Sequence, residues 1–577
     1  MLPCYDWTLD ELSAGWEKKN DMEDEKVILA IFFVPMVRKL QLPVSEEFVT
    51  LLQKKWVERY PKSPFYLGDY ESISGGFRKK FLGLCFITTA VCQELGKPDD
   101  CAELTAFRAF RDGYLAAQPD GALRFPDALP EIDETEPAVD RTQPVVIGID
   151  LGTTTLSAVV LDAHGAVLES YTVETHAAIP DAPGIQRTAE ICQRAEAVAE
   201  LLVQSYPAAQ GIGLCGQMHG IVYVDAAGNA VSDLYTWQNP LGMQHRGSEA
   251  YAEWASRVTG TPLSTGYGLV THSVLADAGT VPAGAVRFCT IMDYLAMRLT
   301  GAAAPVMHPS NAASLGLFDP VRNAFRADAA ARIGVPASFL PQVCAAGGAV
   351  VGTFRGVPVC AAIGDHQSSF LGAVRDPARS MLVNVGTGSQ LTVQSTSADA
   401  APPCEVRPLA DGVYLHSYSA LCGGAAYALL ERFFRAVCVQ CGGADRPMYD
   451  EMAQMAAQAH GTLPVCTAFC GTRADPALRG TISGIGMDNF TPQELTRGVL
   501  DGIAAELYAH ADALRRANPA ADRLVGSGNA IRKNPVLQQC IADRFGMALQ
   551  ISPFPEEAAV GAARFAAGLI RRASDIS

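Results

Sequence analysis

The chain is short of positive charge. Its 577 residues hold 45 Lys and Arg against 61 Asp and Glu, a formal net charge of −16, and no basic tract stands out. Nucleic acids and anionic membrane surfaces need clustered Lys and Arg, so neither is the expected partner. Long apolar runs are missing too. The longest early one, VILAIFFVPMV from Val27, contains Pro35 and falls well below the ~20 residues that cross a bilayer. The opening MLPCYDWTLDELSAG has no charged-then-apolar leader pattern, and a cytoplasmic location is expected. A disulfide framework is lacking although cysteine is not: of sixteen, Cys85, Cys215, Cys289 and Cys360 sit in apolar segments, as reduced core thiols do. Cys438 and Cys441 form a CxxC followed by Cys466 and Cys470. A four-thiolate zinc site is one reading of these; the looser second spacing favours four partly buried thiols. Nowhere does GxxxxGK precede Ser or Thr, which excludes a Walker phosphate loop.

What the chain does have falls into three parts. Residues 129–144, LPEIDETEPAVDRTQP, interrupt all periodicity with proline and acid and read as a linker. Before them, residues 1–128 carry helical patterning and no catalytic constellation. In SEEFVTLLQKKWVERY, Ser45 is placed to cap, and Phe48, Leu51, Leu52, Trp56 and Tyr60 fall on one face. This extension reads as a stabilising or oligomerising cap, or as a partner-binding module. After the linker come β-branched runs, Gly-rich turns and amphipathic helices, the pattern of α/β domains. One predicted helix opens with Thr491 as cap, Pro492 in the first turn and Glu494 completing a capping box.

The stretch VVIGIDLGTTTLSAVVLDAHG, residues 145–165, runs from one apolar strand through a turn of small residues into another. Such a turn leaves backbone N–H groups unobstructed and adds hydroxyl donors, which suits phosphate; Gly-Thr turns also close ordinary hairpins. LVNVGTGSQLTV at 382–393 repeats the pattern, and two such hairpins facing each other would clamp a polyphosphate between lobes, as in actin-like ATPases. Asp365 follows the buried run VPVCAAIG and precedes a predicted helix, the strand-end position where open α/β sheets build active sites. It either accepts a proton there or caps the helix. A GxGxxG at Gly211, Gly213 and Gly216 runs into strand-like sequence rather than opening a helix, so a dinucleotide site fails on context. His219 has no second histidine or cysteine at ligand spacing, which argues against a metal site there.

Several segments occur in an order that resembles the FGGY family of carbohydrate kinases, particularly its sedoheptulokinase and xylulokinase branches: GIDLGTTT from Gly148, GQMHG at 216–220, TWQN at 236–239, AIGDHQSSFLGA at 362–373, NVGTGS from Asn384, VGSGNAIRKNPVLQQCIADRFGMAL at 525–549 and EEAAVGAARFAAG from Glu556. The resemblance covers residues 145 to about 570. It implies an α/β, two-lobed actin-like ATPase (ribonuclease H-like) fold, with a sugar-binding and catalytic lobe at 145–378 and an ATP-binding lobe at 379–577. It implies ATP and Mg²⁺ as cofactors, with Asp365 as catalytic base and Asp150 ordering the metal. Gly152, Thr153 and Thr154 would cradle phosphate from one lobe, and Gly386, Thr387 and Gly388 from the other. Gly526, Gly528, Asn529 and Asn534 would approach the adenosine. Gly423 and Gly424 are either a second approach to the base or a helix-packing pair. Gln217, Met218, His219, Trp237, Asn239 and Tyr267 would form the sugar pocket. Asn239 stands where relatives carry aspartate, which opens the choice of sugar. The implied activity is phosphorylation of a terminal hydroxyl of a ketose, sedoheptulose first and xylulose or another pentulose or polyol second. A non-catalytic nucleotide-gated sensor on the same fold is the alternative.

Overall fold

The computed structural model describes residues 140–574 except 473, 474 and 476, together with residues 49, 50, 52–54 and 56. The chain divides into two units, Met1–Ala122 and Leu123–Ser577. In the first, the described residues are helical, and Leu52 and Trp56 are buried. The rest of the predicted extension, and the linker as far as residue 139, lie outside the described residues.

In the second unit the first predicted hairpin forms. β1 (Val145–Leu151) and β2 (Thr155–Asp162) pair antiparallel through the whole of β1, and β3 (Val167–Glu174) continues the sheet beyond β2. On its other edge β1 pairs in parallel with β4 (Ala209–Gly216), and outside β4 lie β6 (Val357–Cys360) and then β5 (Val350–Phe354), giving the order β5-β6-β4-β1-β2-β3. A two-residue strand, β7 (Ile363–Gly364), pairs in parallel with the end of β4. Burial is almost unbroken along β1 because both faces of the sheet are covered, the usual state of parallel strands. α1 (Thr188–Ser205) packs on β1 and β2, and the C-terminal helix also covers them.

The second lobe repeats this plan. β8 (Ser380–Val385) and β9 (Ser389–Ser395) form a hairpin, β10 (Glu405–Ala410) and β11 (Val413–Ala420) extend it on one side, and β12 (Arg523–Ser527) and β13 (Leu549–Ile551) run parallel to β8 on the other. Each lobe thus has an antiparallel hairpin whose first strand borders a parallel strand, as a two-lobed actin-like architecture requires. The buried residues of the second sheet pack with α6 (Pro492–Tyr508) and α8 (Pro535–Phe545) in a separate core.

Two helices join the lobes. α4 (Asp365–Ala373) follows β7, and α9 (Glu557–Ser574), although it follows the strands of the second lobe, packs across β1 and β4 of the first. The two cross at backbone contact: a Cβ at Gly372 would overlap the Glu557 carbonyl, and one at Gly561 the Ser368 carbonyl. Only glycine at both positions permits that approach.

The predicted helix at Thr491 is confirmed at its start, where the Thr491 hydroxyl accepts from the Glu494 N–H at 3.2 Å. The reciprocal half of the capping box is corrected. The Glu494 carboxylate instead accepts from the N–H groups of His460 and Thr462, both at 2.7 Å, and so ties a preceding loop to the helix. The helix ends at Tyr508 and a separate one begins at Ala511.

Candidate active site

The site grows from the carboxyl ends of three parallel strands. In the β1–β4 register Asp150 lies opposite Cys215, and in the β7–β4 register Gly364 lies opposite Gly216. Asp150 and Asp365 therefore flank the end of β4 from its two sides. Asp365 is the first residue of α4 and accepts from the His366 N–H at 2.7 Å, so the base candidate also serves the helix start. Burial pushes its carboxyl up to about 6, opposed by that hydrogen bond and by the charge of Arg407. Burial pushes Asp150 up to about 7, the like charge of Asp365 adds to this, and a hydrogen bond from Cys215 opposes it. The Cys215 thiol donates to Asp150 Oδ1 at 3.3 Å.

Gln217, Met218 and His219 follow β4 directly. Gln217 Nε2 donates to Gln186 Oε1 at 2.9 Å, and Gln186 Nε2 donates to the Thr153 carbonyl at 2.6 Å, a chain linking the end of β4 to the first Gly-Thr turn. Gln217 Oε1 is buried without a partner among the described residues. His219 adopts φ 75°, a conformation that costs energy for any residue but glycine. Ser314, in α3 (Pro309–Leu315), holds it there: the His219 N–H donates to Ser314 Oγ at 3.1 Å, and Nδ1 lies 2.7 Å from the Ser314 carbonyl. A carbonyl only accepts, so Nδ1 carries the proton. The imidazole stacks on Tyr267, at the start of α2 (Gly268–Asp277), with centroids 4.7 Å apart and planes 5° from parallel.

Trp237 is 46% exposed and donates from Nε1 to Thr153 Oγ1 at 3.1 Å, so it reaches the first Gly-Thr turn. Asn239 is engaged with backbone. Its Oδ1 accepts from the Leu241 N–H at 3.1 Å and its Nδ2 donates to the Gly184 carbonyl at 3.4 Å. The Asn239 amide thus ties the backbone at Gly184 to that at Leu241.

In the second lobe, the N–H groups of Gly423 and Gly424 donate to the carbonyls of Thr387 and Gly386 at 3.0 and 2.8 Å. The pair thus packs on the second Gly-Thr turn at the start of α5 (Gly424–Gln440). Gly528, at φ 89°, sits against the Val385 carbonyl and leads into α7 (Asn529–Lys533). Gly526 lies among Ile531, Leu549 and Ile551. Asn534 caps α8, accepting from the Leu537 N–H at 3.0 Å.

Two features escaped the sequence reading. Gln186 has no motif around it. Arg407 stands on β10 beside Glu405 in a pattern that usually marks a surface ion pair, yet its side chain is only 12% exposed and it crosses to Met218.

No group of three or more His, Cys, Asp and Glu side chains able to hold a metal ion occurs among the described residues; Cys441, Cys466 and Cys470 are exposed and Cys438 half-buried. Magnesium does not need such a cage. It keeps several waters and takes one or two carboxylates plus substrate phosphates. The hard oxygens of Asp150, with Asp365 and Glu556 raising its pKa as like charges, fit a divalent cation.

Residues 145–372 match the N-terminal domain, and residues 381–569 the C-terminal domain, of the FGGY family of carbohydrate kinases. The chain belongs to this family. Over 458 residues it is 27% identical to sedoheptulokinase from Mus musculus, covering 71% of this chain and 93% of that protein. It is 26% identical over 452 residues to xylulose kinase from Staphylococcus epidermidis, covering 73% and 87%. A solved structure of Plasmodium falciparum glycerol kinase with ADP superposes with a TM-score of 0.61 at 18% identity, covering 75% of this chain and 90% of that one. This FGGY protein is an ATP-dependent carbohydrate kinase with an actin-like fold. No helix among its described residues is long and apolar enough to cross a membrane.

Proposed function

We propose that the enzyme transfers the γ-phosphoryl group of ATP to a terminal hydroxyl of a ketose, with sedoheptulose as first candidate and xylulose as second. The observation that carries this reading is the pair of carboxylates, Asp150 and Asp365, flanking the end of one strand beside a Gly-Thr-Thr turn. Phosphoryl transfer needs an in-line hydroxyl, a proton acceptor and compensation of phosphoryl charge. Asp365 takes the proton from the sugar hydroxyl; with its pKa near 6 it is ionised at pH 7 and basic enough to accept. Asp150 would hold Mg²⁺, which supplies charge neutralisation at the phosphate oxygens.

The backbone around Gly152, Thr153 and Thr154 meets the phosphates from the first lobe, and Gly386, Thr387 and Gly388 from the second, supported behind by Gly423 and Gly424. Gly526, Gly528, Asn529 and Asn534 shape the adenosine side. In the sugar pocket the unpartnered Gln217 Oε1 accepts from a hydroxyl, and Met218, His219 and Tyr267 wall the ring or chain. Trp237 covers the reacting end, and Asn239 fixes the wall behind it. Closure of the lobes excludes water, the competing acceptor.

The test is ADP release with sedoheptulose, D-xylulose, D-ribulose and glycerol side by side, with Asp365→Asn as control. One ketose turning over in the wild type, with kcat lower by about 10²–10⁴ in the variant, supports both the reaction and its base. An Asp365→Asn enzyme as active as wild type removes the base assignment.

A further inference from the structure

The sugar pocket receives one strong donor from the opposite lobe. Arg407 lies on β10 of the second lobe, 189 residues after Met218. Its Nη2 and Nε donate to Glu405 Oε2 at 2.7 and 3.3 Å, while Nη1 points at the Met218 thioether 3.8 Å away. A thioether is a weak acceptor, and a guanidinium carries five strong donors in a fixed fork. Enclosing such a group is costly unless its hydrogen bonds are met; the carboxylate of Glu405 serves Nη2 and Nε, and Nη1 meets only a sulfur. The charge of Arg407 lowers the pKa of Asp365 and of His366, so the guanidinium acts on the residues at the start of α4 as well as touching Met218. The neighbouring Pro408 carbonyl accepts from Gln367 Nε2 of α4 at 3.0 Å, so the backbone carrying Arg407 is itself fastened to the helix of the base.

We propose that Arg407 is a specificity-determining residue that donates from Nη1 to a hydroxyl or carbonyl oxygen of the sugar, so that the substrate is read by both lobes at once. This rests on the ketose reading above. Sugar held by the first lobe offers the oxygen that the Met218 sulfur replaces poorly, and its binding favours the arrangement in which β10 lies against α4. Lysine is not equivalent, because a single ammonium cannot serve Glu405 and a sugar oxygen with the same fork.

The experiment compares wild type, Arg407→Met and Arg407→Lys on the preferred ketose and on its monodeoxy analogues, by steady-state kinetics at saturating ATP, with the KM for ATP measured separately. A hydrogen bond to a charged group sets the expected loss: kcat/KM for the ketose falls about 10–100-fold in Arg407→Met, while the KM for ATP stays within about twofold. One deoxy analogue costs the wild type a similar factor and costs Arg407→Met almost nothing, the signature of a direct contact. If Arg407→Met does not fold, the same analogue series on Arg407→Lys decides. Identical deoxy penalties in wild type and variant overturn the proposal, as does a loss expressed equally in the KM for ATP. A wild type inert toward every ketose overturns the ketose reading itself, and the two failures are told apart by which enzyme fails.

Discussion

The two lobes answer the same structural problem with different chemistry. Residues Asp150-Leu151-Gly152-Thr153 of the first hairpin correspond to Asn384-Val385-Gly386-Thr387 of the second. The partners on the adjacent parallel strand correspond too: Asp150 lies opposite Cys215, and Asn384 opposite Ser527. In the first lobe a thiol donates to a carboxylate at 3.3 Å; in the second the amide of Asn384 donates to the Ser527 hydroxyl at 2.8 Å. One hairpin carries an ionisable acceptor and its counterpart a neutral amide. A tetra-anionic nucleotide between two carboxylate-bearing turns would face repulsion from both sides, whereas one carboxylate provides a place for a cation. The turn occurs in both lobes and the carboxylate only in the first.

Making the first hairpin like the second should have the largest effect. Asp150→Asn is expected to lower kcat by on the order of 10²–10³, the scale of losing one charge-stabilising group, with ATP turnover on the preferred ketose as the readout. The same variant carries a stability signature. A carboxyl whose folded pKa is raised above its unfolded value contributes stability below the unfolded pKa and loses it as pH rises through the folded one. For Asp150 that window runs from about 3.8 to about 7, so at pH 8 without nucleotide the wild type holds an uncompensated buried charge and Asp150→Asn should melt higher.

The reverse change comes next. Asn384→Asp places a carboxylate on both turns, removes the donor to Ser527, and should weaken ATP binding about 10–100-fold by like-charge repulsion; calorimetric affinity unchanged from wild type would mean that the second turn does not face phosphate. A milder probe is pH. Since burial holds Asp365 near 6 and the base must be ionised, kcat/KM should fall about tenfold per unit below that value and level off above it. A profile flat down to pH 5 would deny Asp365 the role. Smallest should be Cys215→Ser, which gives Asp150 the kind of hydroxyl neighbour that Asn384 has. Activity within about threefold of wild type is expected, because a hydroxyl donor replaces a thiol donor in the same register.

Much of this site was legible because its parts are local. A strand, a Gly-Thr turn and a second strand are contiguous, so both hairpins could be seen in the sequence, and Asp365 stood out at the junction of a buried run and a helix. His219 was visible as part of a motif, but not its left-handed backbone, which depends on Ser314 some 95 residues away. Asn239 was read as a sugar contact from its place in a motif; its amide is held by the Leu241 N–H and the Gly184 carbonyl, and the second of these is not its neighbour in sequence. The glycine pair at 423–424 was visible too, but not its hydrogen bonds to the Thr387 and Gly386 carbonyls.

Strand periodicity, the two small-residue turns, the strand-end carboxylates and the excess of acid over base are all written in the order of residues. These follow from side-chain pattern and backbone freedom over a few residues. Tertiary structure alone decided that α9 closes over the first sheet, that β4 separates the two aspartates, and that Arg407 of one lobe meets Met218 of the other. Those outcomes depend on strand register and on helix crossings at Gly372 and Gly561. They join residues tens to hundreds of positions apart, through packing that no local pattern encodes.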